Sequence, residues 1–512
     1  MQKNAWLAFA KWLFEMMNFL FELNLTIAPK GSREVAGGLY RQLKSAILDG
    51  RLRPGLKLPS TRAASTAFGV SRNTAQDVYE RLAQEGLVAS KHGSGTYVVG
   101  ALPGQTDSSG SSLDEGEHLR VVDFWSSPEA ASWMGFWREA HEPRPAKILA
   151  DLRPALIDAA IFPHSIFRQV MARQLRRLET SPPSTRSPQG NQGNHQLRRA
   201  VAEHIGLTRA VACGADDVLV TSGAQQGFDL IARTLVKPGE TVVAVEDPGY
   251  PPLRVPFAAA GARIVPVRVD AEGIVVDEIP PDASIVCVCP SHQFPLGMSM
   301  SHDRRQALIR FARRSGAVIV EDDYDGEFRY DGSPLEALRT RDSADRVFYV
   351  GSFSKCMFPS IRLGFVVAPS WAMPPLVLAK NCADWHCSTP LQLTVANFIL
   401  DGHLARHVRR ARRIYRERRS HLLQLIETQL GEGFEVVPSF YGMHVAALAK
   451  GTADCEAISA RLATQGIMIH SLDRYFLGVP RPGFVLGFAA AGTSALTLAV
   501  DALADQIAAQ RA

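Results

Sequence analysis

The most reactive feature of the sequence is a lysine that stands among hydroxyl groups. Lys355 follows the apolar run Val347–Val350 and the loop Gly351–Ser354, and Arg362 comes shortly after it. A solvated surface lysine is the ordinary interpretation. A lysine at the end of a buried strand, however, is partly desolvated, so it can lose its proton and form a Schiff base. Ser352 and Arg362 then provide a hydroxyl and a guanidinium that suit a phosphate group.

Three further polar motifs stand at the ends of apolar runs. Asp322 belongs to an acidic cluster, which could bind a metal ion, cap the end of a strand or hold the protonated nitrogen of a pyridine ring. Tyr324 follows and can hydrogen-bond a ring hydroxyl. The segment Ser222–Ala224 opens a helix, whose N–H groups receive phosphate well, and Tyr250 can stack on a ring. Four such motifs in this order predict one cofactor site at the strand ends.

From about residue 150 to the end, apolar runs alternate with helical stretches. Continuous apolar strands separated by helices indicate a sheet that is covered on both faces. We therefore expect an α/β domain with a mainly parallel sheet. The runs are Val218–Thr221, Thr241–Val245, Ile264–Val269, Ile285–Cys289, Val318–Val320, Val347–Val350 and Phe365–Ala368.

A second functional region is indicated by charge near the N-terminus. The chain has 512 residues and a net charge of +5, which alone does not argue for a nucleic-acid partner. Residues 30–91 hold a larger surplus of Lys and Arg over Asp and Glu than the entire chain. A compact basic segment on a near-neutral body is typical of a module that binds phosphates.

The same segment has the pattern of three short helices and a hairpin. The predicted helices are 39–48, a second one capped by Ser60 or Thr61 and ending at Phe68, and 72–85 capped by Ser71. Gly69 makes the break expected in a helix-turn-helix. The hairpin joins 87–91 to 96–99. Small polar and basic side chains begin the third helix, where a recognition helix meets DNA.

The run LPSTRAASTAFGVSRNTAQDVYERLAQEGLV, followed by HGSGTYV, resembles the winged helix-turn-helix of the GntR family over residues 36–99. A helical hairpin with a solvated basic face is the alternative. The resemblance implies double-stranded DNA as a partner. It implies DNA contacts at Arg62, Ser71, Arg72, Asn73, Thr74, Gly93, Ser94, Gly95 and Thr96.

Residues 150–510 resemble the fold-type I pyridoxal-phosphate enzymes, the aspartate aminotransferase superfamily, and the fusion resembles the MocR subfamily of GntR regulators. The segments EDDYDGEFRYDGSPL and YVGSFSKCMFPSIRLGF are among those that match. The resemblance implies pyridoxal 5′-phosphate as cofactor, with Lys355 as the catalytic Schiff-base lysine and Asp322 at the ring nitrogen. The remaining cofactor contacts that it implies are Ser222, Gly223, Ala224, Tyr250, Tyr324, Ser352 and Arg362.

The expected architecture is an α/β fold-type I domain with a large and a small part, preceded by an α+β winged helix-turn-helix. We expect an N-terminal extension over 1–29, a DNA-binding domain over 30–100, a linker over 101–149 and the aminotransferase-like domain over 150–512. The small subdomain is expected over roughly 400–512. Residues 101–120 are rich in Gly, Ser and acidic residues, which is typical of a flexible linker.

Two departures from the conventional aminotransferase pattern affect the cofactor. Phe294 stands where those enzymes have an asparagine, so the ring-oxygen contact falls to His292 or Gln293 as alternatives. Pro188 and Gln189 stand where many relatives have a tyrosine that contacts phosphate across the subunit interface.

A third departure and an arginine cluster concern the C-terminal part. Strand 484–488 has no arginine for a substrate carboxylate; Arg481 is the nearest candidate, and a plain loop arginine is the equal alternative. Residues 404–419 contain eight arginines and one acid. A solvated helix between domains is the favoured interpretation of them, and an auxiliary DNA contact is the other.

The remaining features favour a reduced, cytoplasmic protein without a metal. The seven cysteines contain no C-x-x-C pair. Residues 5–25 are apolar but are interrupted by Lys11 and Glu15. We therefore favour an amphipathic helix or an over-extended start over a membrane anchor.

Two functions fit the whole chain. The first is a homodimeric transcription regulator whose DNA binding is controlled by pyridoxal phosphate, together with an amine or amino acid captured on it. The second is a working aminotransferase with an attached DNA-binding module. A weaker third hypothesis is a repressor that senses the cofactor alone.

Overall fold

The computed structural model describes residues 34–91, 95–99, 122–127, 130, 147–180, 191–331 and 336–511. The chain divides into two compact units between residues 119 and 120, and each is described by itself. The predicted extension 1–29, most of the predicted linker, and Pro188 and Gln189 lie outside the described residues. No helix within the described ranges is long and apolar enough to cross a membrane.

The described residues of the first unit form three helices and a hairpin around one apolar core. Serines begin the second and third helices: Ser60 Oγ accepts from Ala63 N and Ser71 Oγ accepts from Thr74 N, which satisfies amide groups that have no partner within the helix. The elements are α1 (Val35–Leu48), α2 (Thr61–Ala67), α3 (Arg72–Gln84) and the antiparallel strands β1 (Val88–Lys91) and β2 (Gly95–Val98).

The second unit is built on an eight-stranded sheet in the order β4-β11-β10-β9-β8-β5-β6-β7. The five adjacent strands β10, β9, β8, β5 and β6 are parallel to one another. Strand β11 is antiparallel to β10, and β7 is antiparallel to β6. The strands are β4 (Val218–Thr221), β5 (Val242–Asp247), β6 (Arg263–Asp270), β7 (Gly273–Ile274), β8 (Ile285–Val288), β9 (Val318–Asp323), β10 (Val347–Ser352) and β11 (Gly364–Val367).

Ten helices of the described ranges belong to this unit, and with the sheet they enclose three large buried apolar clusters. They are α4 (His164–Thr180), α5 (His195–Arg209), α6 (Ala224–Leu235), α7 (Pro251–Ala259), α8 (His302–Ser315), α9 (Met373–Asp384), α10 (Thr389–Leu400), α11 (His403–Leu425), α12 (Cys455–Thr464) and α13 (Thr493–Arg511). Short 3₁₀ segments lie at 123–126, 215–217, 276–278, 338–341, 359–361 and 473–475, and a π turn at 426–430.

A smaller antiparallel sheet forms the C-terminal part in the order β12-β13-β16-β15. A separate parallel pair joins β3, far upstream, to β14, so residues 150–151 pack with the small part although the sequence pattern gave no sign of it. The strands are β3 (Ala150–Asp151), β12 (Phe434–Val436), β13 (His444–Ala449), β14 (Ile467–Met468), β15 (His470–Ser471) and β16 (Gly483–Gly487).

The predicted fold class is confirmed, since a mainly parallel α/β sheet follows a winged helix-turn-helix. Four strands of the large sheet run further at their carboxyl ends than predicted: β5 includes Asp247, β6 includes Asp270, β9 includes Asp323 and β10 includes Ser352. Their polar ends keep strand geometry because a neighbouring strand continues the hydrogen-bond ladder beside them, for example Gly351 of parallel β10 opposite Asp323 and Gly364 of antiparallel β11 opposite Ser352.

Candidate functional site

A cavity of about 180 Å³ lies at the carboxyl ends of β4, β5, β9 and β10. Seven of the predicted cofactor residues line it: Ala224, Tyr250, Asp322, Tyr324, Ser352, Lys355 and Arg362. Sequence reasoning missed Ala155, Gln225, Phe228, Ser354 and Pro359 as lining residues. Two of these, Ser354 and Pro359, lie inside the segment YVGSFSKCMFPSIRLGF, and Gln225 directly follows Ala224.

Lys355 is placed as a reactive amine. It follows β10 by three positions, and its Nζ donates to the carbonyl oxygen of Ala155 at 2.6 Å. Burial lowers the pKa of Lys355 to about 8, although the negative charges of Asp325 and Asp322 act in the opposite direction. The amine is therefore closer to its neutral, nucleophilic form near neutral pH than a solvated lysine is.

Asp322 is a buried carboxyl with an unused oxygen. Its residue is 2% exposed, and Oδ1 has no hydrogen-bond partner among the described residues. Oδ2 lies 3.8 Å from the thiol of Cys289. Burial raises the pKa of Asp322 to about 8, with Asp323 and Asp325 adding to the effect. Such a carboxyl favours a cationic partner inside the cavity, because a nearby positive charge offsets the cost of its burial.

Aromatic rings form another wall of the cavity. Tyr250 caps the start of α7, and its ring meets that of Phe294 edge-on with the centroids 5.3 Å apart. Phe294 also meets Tyr324 edge-on at 6.0 Å. At the position where conventional enzymes have asparagine, this chain therefore places an apolar ring against the cavity.

The two alternatives for the ring-oxygen contact are both wrong as direct lining residues. The amide of Gln293 donates to the carbonyl oxygens of Pro248 and Phe294, each at 2.8 Å, and so shapes the loop. His292 is fully buried behind Tyr324, with Nδ1 2.7 Å from the tyrosine hydroxyl. Tyr324 lines the cavity itself.

The predicted phosphate residues form a cup at the start of α6. Gly223 has φ +84°, a backbone conformation that favours glycine, and a Cβ there would lie only 3.1 Å from Nη2 of Arg362. The same Nη2 donates to the carbonyl oxygen of Ser222 at 2.8 Å. The Ser222 hydroxyl does not line the cavity; it lies 3.4 Å from the thiol of Cys387. Ser222 and Gly223 therefore shape the cup through their backbone.

A buried polar network supports this cup from behind, and no motif in the sequence revealed it. Gln226 Oε1 accepts from the amide of Ser222 at 2.7 Å and from Nζ of Lys380 at 3.2 Å. The ammonium group of Lys380 is fully buried and pairs with Asp384 at 2.7 Å. Helix α9 is thereby tied to the loop between β4 and α6.

Arg481, the candidate for a substrate carboxylate, lies elsewhere. It is exposed and lines a separate groove of about 560 Å³ together with Leu472 and Phe476. Within the strand β16 that it precedes, Val485 is fully buried in apolar contacts. Among the described residues that line the cofactor cavity, only Lys355 and Arg362 carry positive charge.

Helix α11 is not the solvated helix that we favoured from the sequence. One face packs into the core through Leu404, Val408 and Tyr415. Five arginines use their guanidinium groups to bind the backbone of the same unit, Arg416 for instance donating to the carbonyl oxygen of Tyr330 at 2.7 Å; the other four are Arg406, Arg412, Arg418 and Arg419. The exposed members are Arg406, Arg409, Arg410, Arg413 and Arg416.

Four of the predicted DNA contacts of the first unit, Ser71, Arg72, Asn73 and Thr74, lie at the start of α3, and Arg62 lies on α2. Arg62, Arg72 and Asn73 are exposed. Ser71 Oγ accepts from Thr74 N at 3.0 Å and lies 2.7 Å from its hydroxyl, so these two side chains also hold the helix start.

Next to the wing lies one basic residue that was not among the predicted DNA contacts. Thr96 Oγ1 lies 3.2 Å from Ser90 Oγ across the hairpin, and Gly95 is exposed. Lys57 forms an isolated antiparallel β-bridge with Tyr97, and its Nζ lies 5.9 Å from the centroid of the tyrosine ring. It extends the basic surface beside the wing. Gly93 and Ser94 lie outside the described residues.

Comparison with known proteins agrees with this geometry. Residues 162–496 match the family "Aminotransferase class I and II", and residues 36–98 match "Bacterial regulatory proteins, gntR family". A solved Pyrococcus horikoshii kynurenine aminotransferase covers 77% of this chain and 95% of its own at 23% identity, with a TM-score of 0.66. The chain is therefore a GntR-type DNA-binding unit joined to an aminotransferase-like unit.

Full-length regulators are similar over nearly the whole chain. The probable rhizopine catabolism regulatory protein MocR of Rhizobium meliloti is 32% identical over 88% of this chain and 89% of its own length. The pyridoxine biosynthesis transcriptional regulator PdxR of Corynebacterium glutamicum is 30% identical over 92% and 95%. The chain belongs to the MocR subfamily of GntR-type transcription regulators.

Proposed function

We propose that this transcription regulator binds pyridoxal 5′-phosphate at Lys355 and that an amine or amino acid captured there changes its affinity for DNA. The single observation behind the proposal is that one cavity holds both a lysine of lowered pKa and a buried carboxyl oxygen without a partner. A primary amine suits the aldehyde of the cofactor, and the carboxyl suits its protonated ring nitrogen.

The remaining residues of the cavity fit the same group. The guanidinium of Arg362, the hydroxyl of Ser352 and the amide groups at the start of α6 suit the phosphate. Tyr250 offers a ring face, and Tyr324 a hydroxyl for the ring oxygen. When bound, the cofactor supplies an electrophilic aldehyde that can capture an amine; the chain's own residues hold and orient it.

Control of DNA binding requires that the ligand favour one of two arrangements of the protein. A ligand shifts such an equilibrium only by its difference in affinity for the two states. We further propose a cytoplasmic homodimer, since fold-type I sites lie at a subunit interface in the proteins that this chain resembles. In the DNA complex, Arg62, Ser71, Arg72, Asn73 and Thr74 contact the duplex together with the wing residues Gly93, Ser94, Gly95 and Thr96.

The alternative function is that of a working aminotransferase. The two side chains that this reaction requires, those of Lys355 and Asp322, are both present. The absence of a further positive charge among the described residues of the cavity favours the regulator, because a conventional amino-acid substrate needs a partner for its carboxylate.

One experiment tests both. Purified full-length protein is loaded with pyridoxal phosphate, candidate amines and amino acids are added, and cofactor absorbance, keto-acid production and affinity for a selected DNA fragment are measured together. The regulator predicts changes in absorbance and DNA affinity without continued product formation. Sustained turnover with unchanged DNA affinity would overturn the proposal, and sedimentation of the same sample tests the dimer.

A further inference from the structure

Behind Tyr324 lies a buried cluster that the cofactor contacts do not include. Nδ1 of His292 is 2.7 Å from the hydroxyl of Tyr324 and 3.0 Å from Oδ2 of Asp325. The side chain of His292 is fully buried and that of Asp325 is 2% exposed. Two oxygen atoms thus meet at one ring nitrogen directly behind a residue that lines the cavity.

The position of the ring proton follows from these contacts. Burial lowers the pKa of His292 to about 3, with Arg419 adding to the effect, so the ring is neutral at physiological pH and has one N–H. Nε2 has no partner among the described residues. A bare acceptor is less costly to bury than an unpaired N–H donor. We therefore assign the proton to Nδ1 when Asp325 is ionised, because its carboxylate oxygen and the tyrosine oxygen can then both accept it.

The imidazole cannot turn away from this arrangement. A Cβ on Gly442 would lie 1.8 Å from Cε1 of His292, so the backbone of Gly442 (φ +83°) closes one edge of the ring. The ring of His444 lies with its centroid 4.6 Å away, and its Nε2 is 3.0 Å from the carbonyl oxygen of Pro295. Because His444 begins β13, the small sheet fixes the orientation of His292.

We propose that His292, held by Asp325, is a positioning residue that turns the proton of the Tyr324 hydroxyl into the cavity, toward the ring oxygen of the cofactor. When Nδ1–H donates to the tyrosine oxygen, the tyrosine's own O–H is left free to donate on the other side. The inference rests on the proposed function, because it needs the cofactor in the cavity.

The charges around this cluster define the pH range of the test. Burial raises the pKa of Asp325, and Asp323 and Glu327 add to the effect, whereas Lys355 and Arg209 oppose it. The ionised form of Asp325, which accepts a hydrogen bond from Nδ1–H, therefore becomes more populated as the pH rises. The other titratable groups that face the cluster are Tyr324, His444, Arg419, Asp322, Cys289 and Tyr330.

The readout is the absorbance of the bound cofactor, titrated from about pH 5 to about pH 10. Tyr324→Phe is the reference variant. A hydrogen bond to the ring oxygen stabilises its anionic form, so its loss should raise the apparent pKa of the bound cofactor by about 1–2 units. His292→Leu should give at least half of that rise.

Conservative and control variants separate positioning from packing. His292→Asn, whose amide nitrogen can occupy the place of Nδ1, should restore most of the wild-type pKa. His407→Leu removes another buried histidine, one that makes no contact with Tyr324, and should leave the pKa unchanged. His292→Leu combined with Tyr324→Phe should equal Tyr324→Phe alone, since His292 acts through that hydroxyl.

The outcomes distinguish the two proposals. If wild type shows no cofactor absorbance, the proposed function fails. If Tyr324→Phe shifts the pKa but His292→Leu does not, or if the double variant shifts it by the sum, only the positioning role is overturned. Stoichiometric zinc that His292→Asn loses also overturns it, because His292, Asp325 and His444 have ligand atoms within 4.8 Å of one another. If His292→Leu fails to fold, His292→Gln replaces it.

Discussion

The two functional regions hold their charges in opposite environments. In the cavity, Lys355 and Asp322 are withdrawn from water, and burial brings the pKa of each to about 8. At the start of α3, Arg72 and Asn73 are exposed, and a serine cap sets the helix start that presents them. A small ligand is selected by a fixed polar geometry, whereas DNA phosphates need accessible charge. We therefore expect changes in the cavity to respond to pH and changes on the DNA surface to respond to salt.

The largest expected effect is that of Lys355→Ala. Without the amine, no covalent link to pyridoxal phosphate can form, so borohydride reduction should leave the protein mass unchanged, whereas wild type gains one cofactor. Lys237→Ala, at an exposed lysine, is the control and should label as wild type does. Labelling of Lys355→Ala at the wild-type level would refute the assignment of the lysine.

On the DNA side, Arg72→Ala should weaken binding to a selected DNA fragment by about 1–3 kcal/mol, on the order of 10–100-fold, through the loss of a base or phosphate contact. Arg51→Ala is the matched control: Arg51 is exposed in the same unit but pairs with Asp49 at 2.8 Å. Equal losses in the two variants, measured by fluorescence anisotropy, would mean that general charge rather than the helix start determines affinity.

Asp322→Asn should change the pH dependence of stability in the cofactor-free protein. The carboxyl has a folded pKa of about 8 against an ordinary value of 3.8. The contribution of the neutral carboxyl to the free energy of unfolding is fully present below pH 3.8 and is lost as the pH rises through about 8. The melting temperature of the variant minus that of wild type should therefore increase over this interval and level off above it. A constant difference across this pH interval would argue against a buried neutral carboxyl.

The smallest effect is expected from the exposed arginines of α11. Replacing Arg409, Arg410 and Arg413 by Gln should leave the salt dependence of DNA binding unchanged. Arg72→Gln should reduce the slope of log affinity against log salt concentration by about 1. A reduced slope in the triple variant would restore the auxiliary DNA contact as an explanation of this cluster.

The sequence predicted the large strands because each is a continuous apolar run of at least three residues. It missed β3, β7, β14 and β15, which have two residues each and so show no period, and it also missed β12 and β13. Their pairing depends on the surrounding packing rather than on their own side chains.

The cofactor residues were predictable wherever they form short motifs at strand ends, as with Lys355 and Asp322. Ala155, Lys380 and His444 come from distant parts of the chain, and only the folded structure brings them near the cavity or its support. Arg481 failed as a candidate because proximity to a strand in the sequence does not determine on which side of the sheet a loop side chain lies.

The pairing of β3 with β14 has a mechanical consequence. Leu149 and Leu152 donate to the carbonyl oxygens of Gly466 and Met468, each at 2.8 Å, and Gly487 donates back to Leu152. The first strand after the stretch that connects the two units is thus fastened at both ends to the small part. While these bonds hold, residues 149–152 move together with the small part rather than with the large sheet.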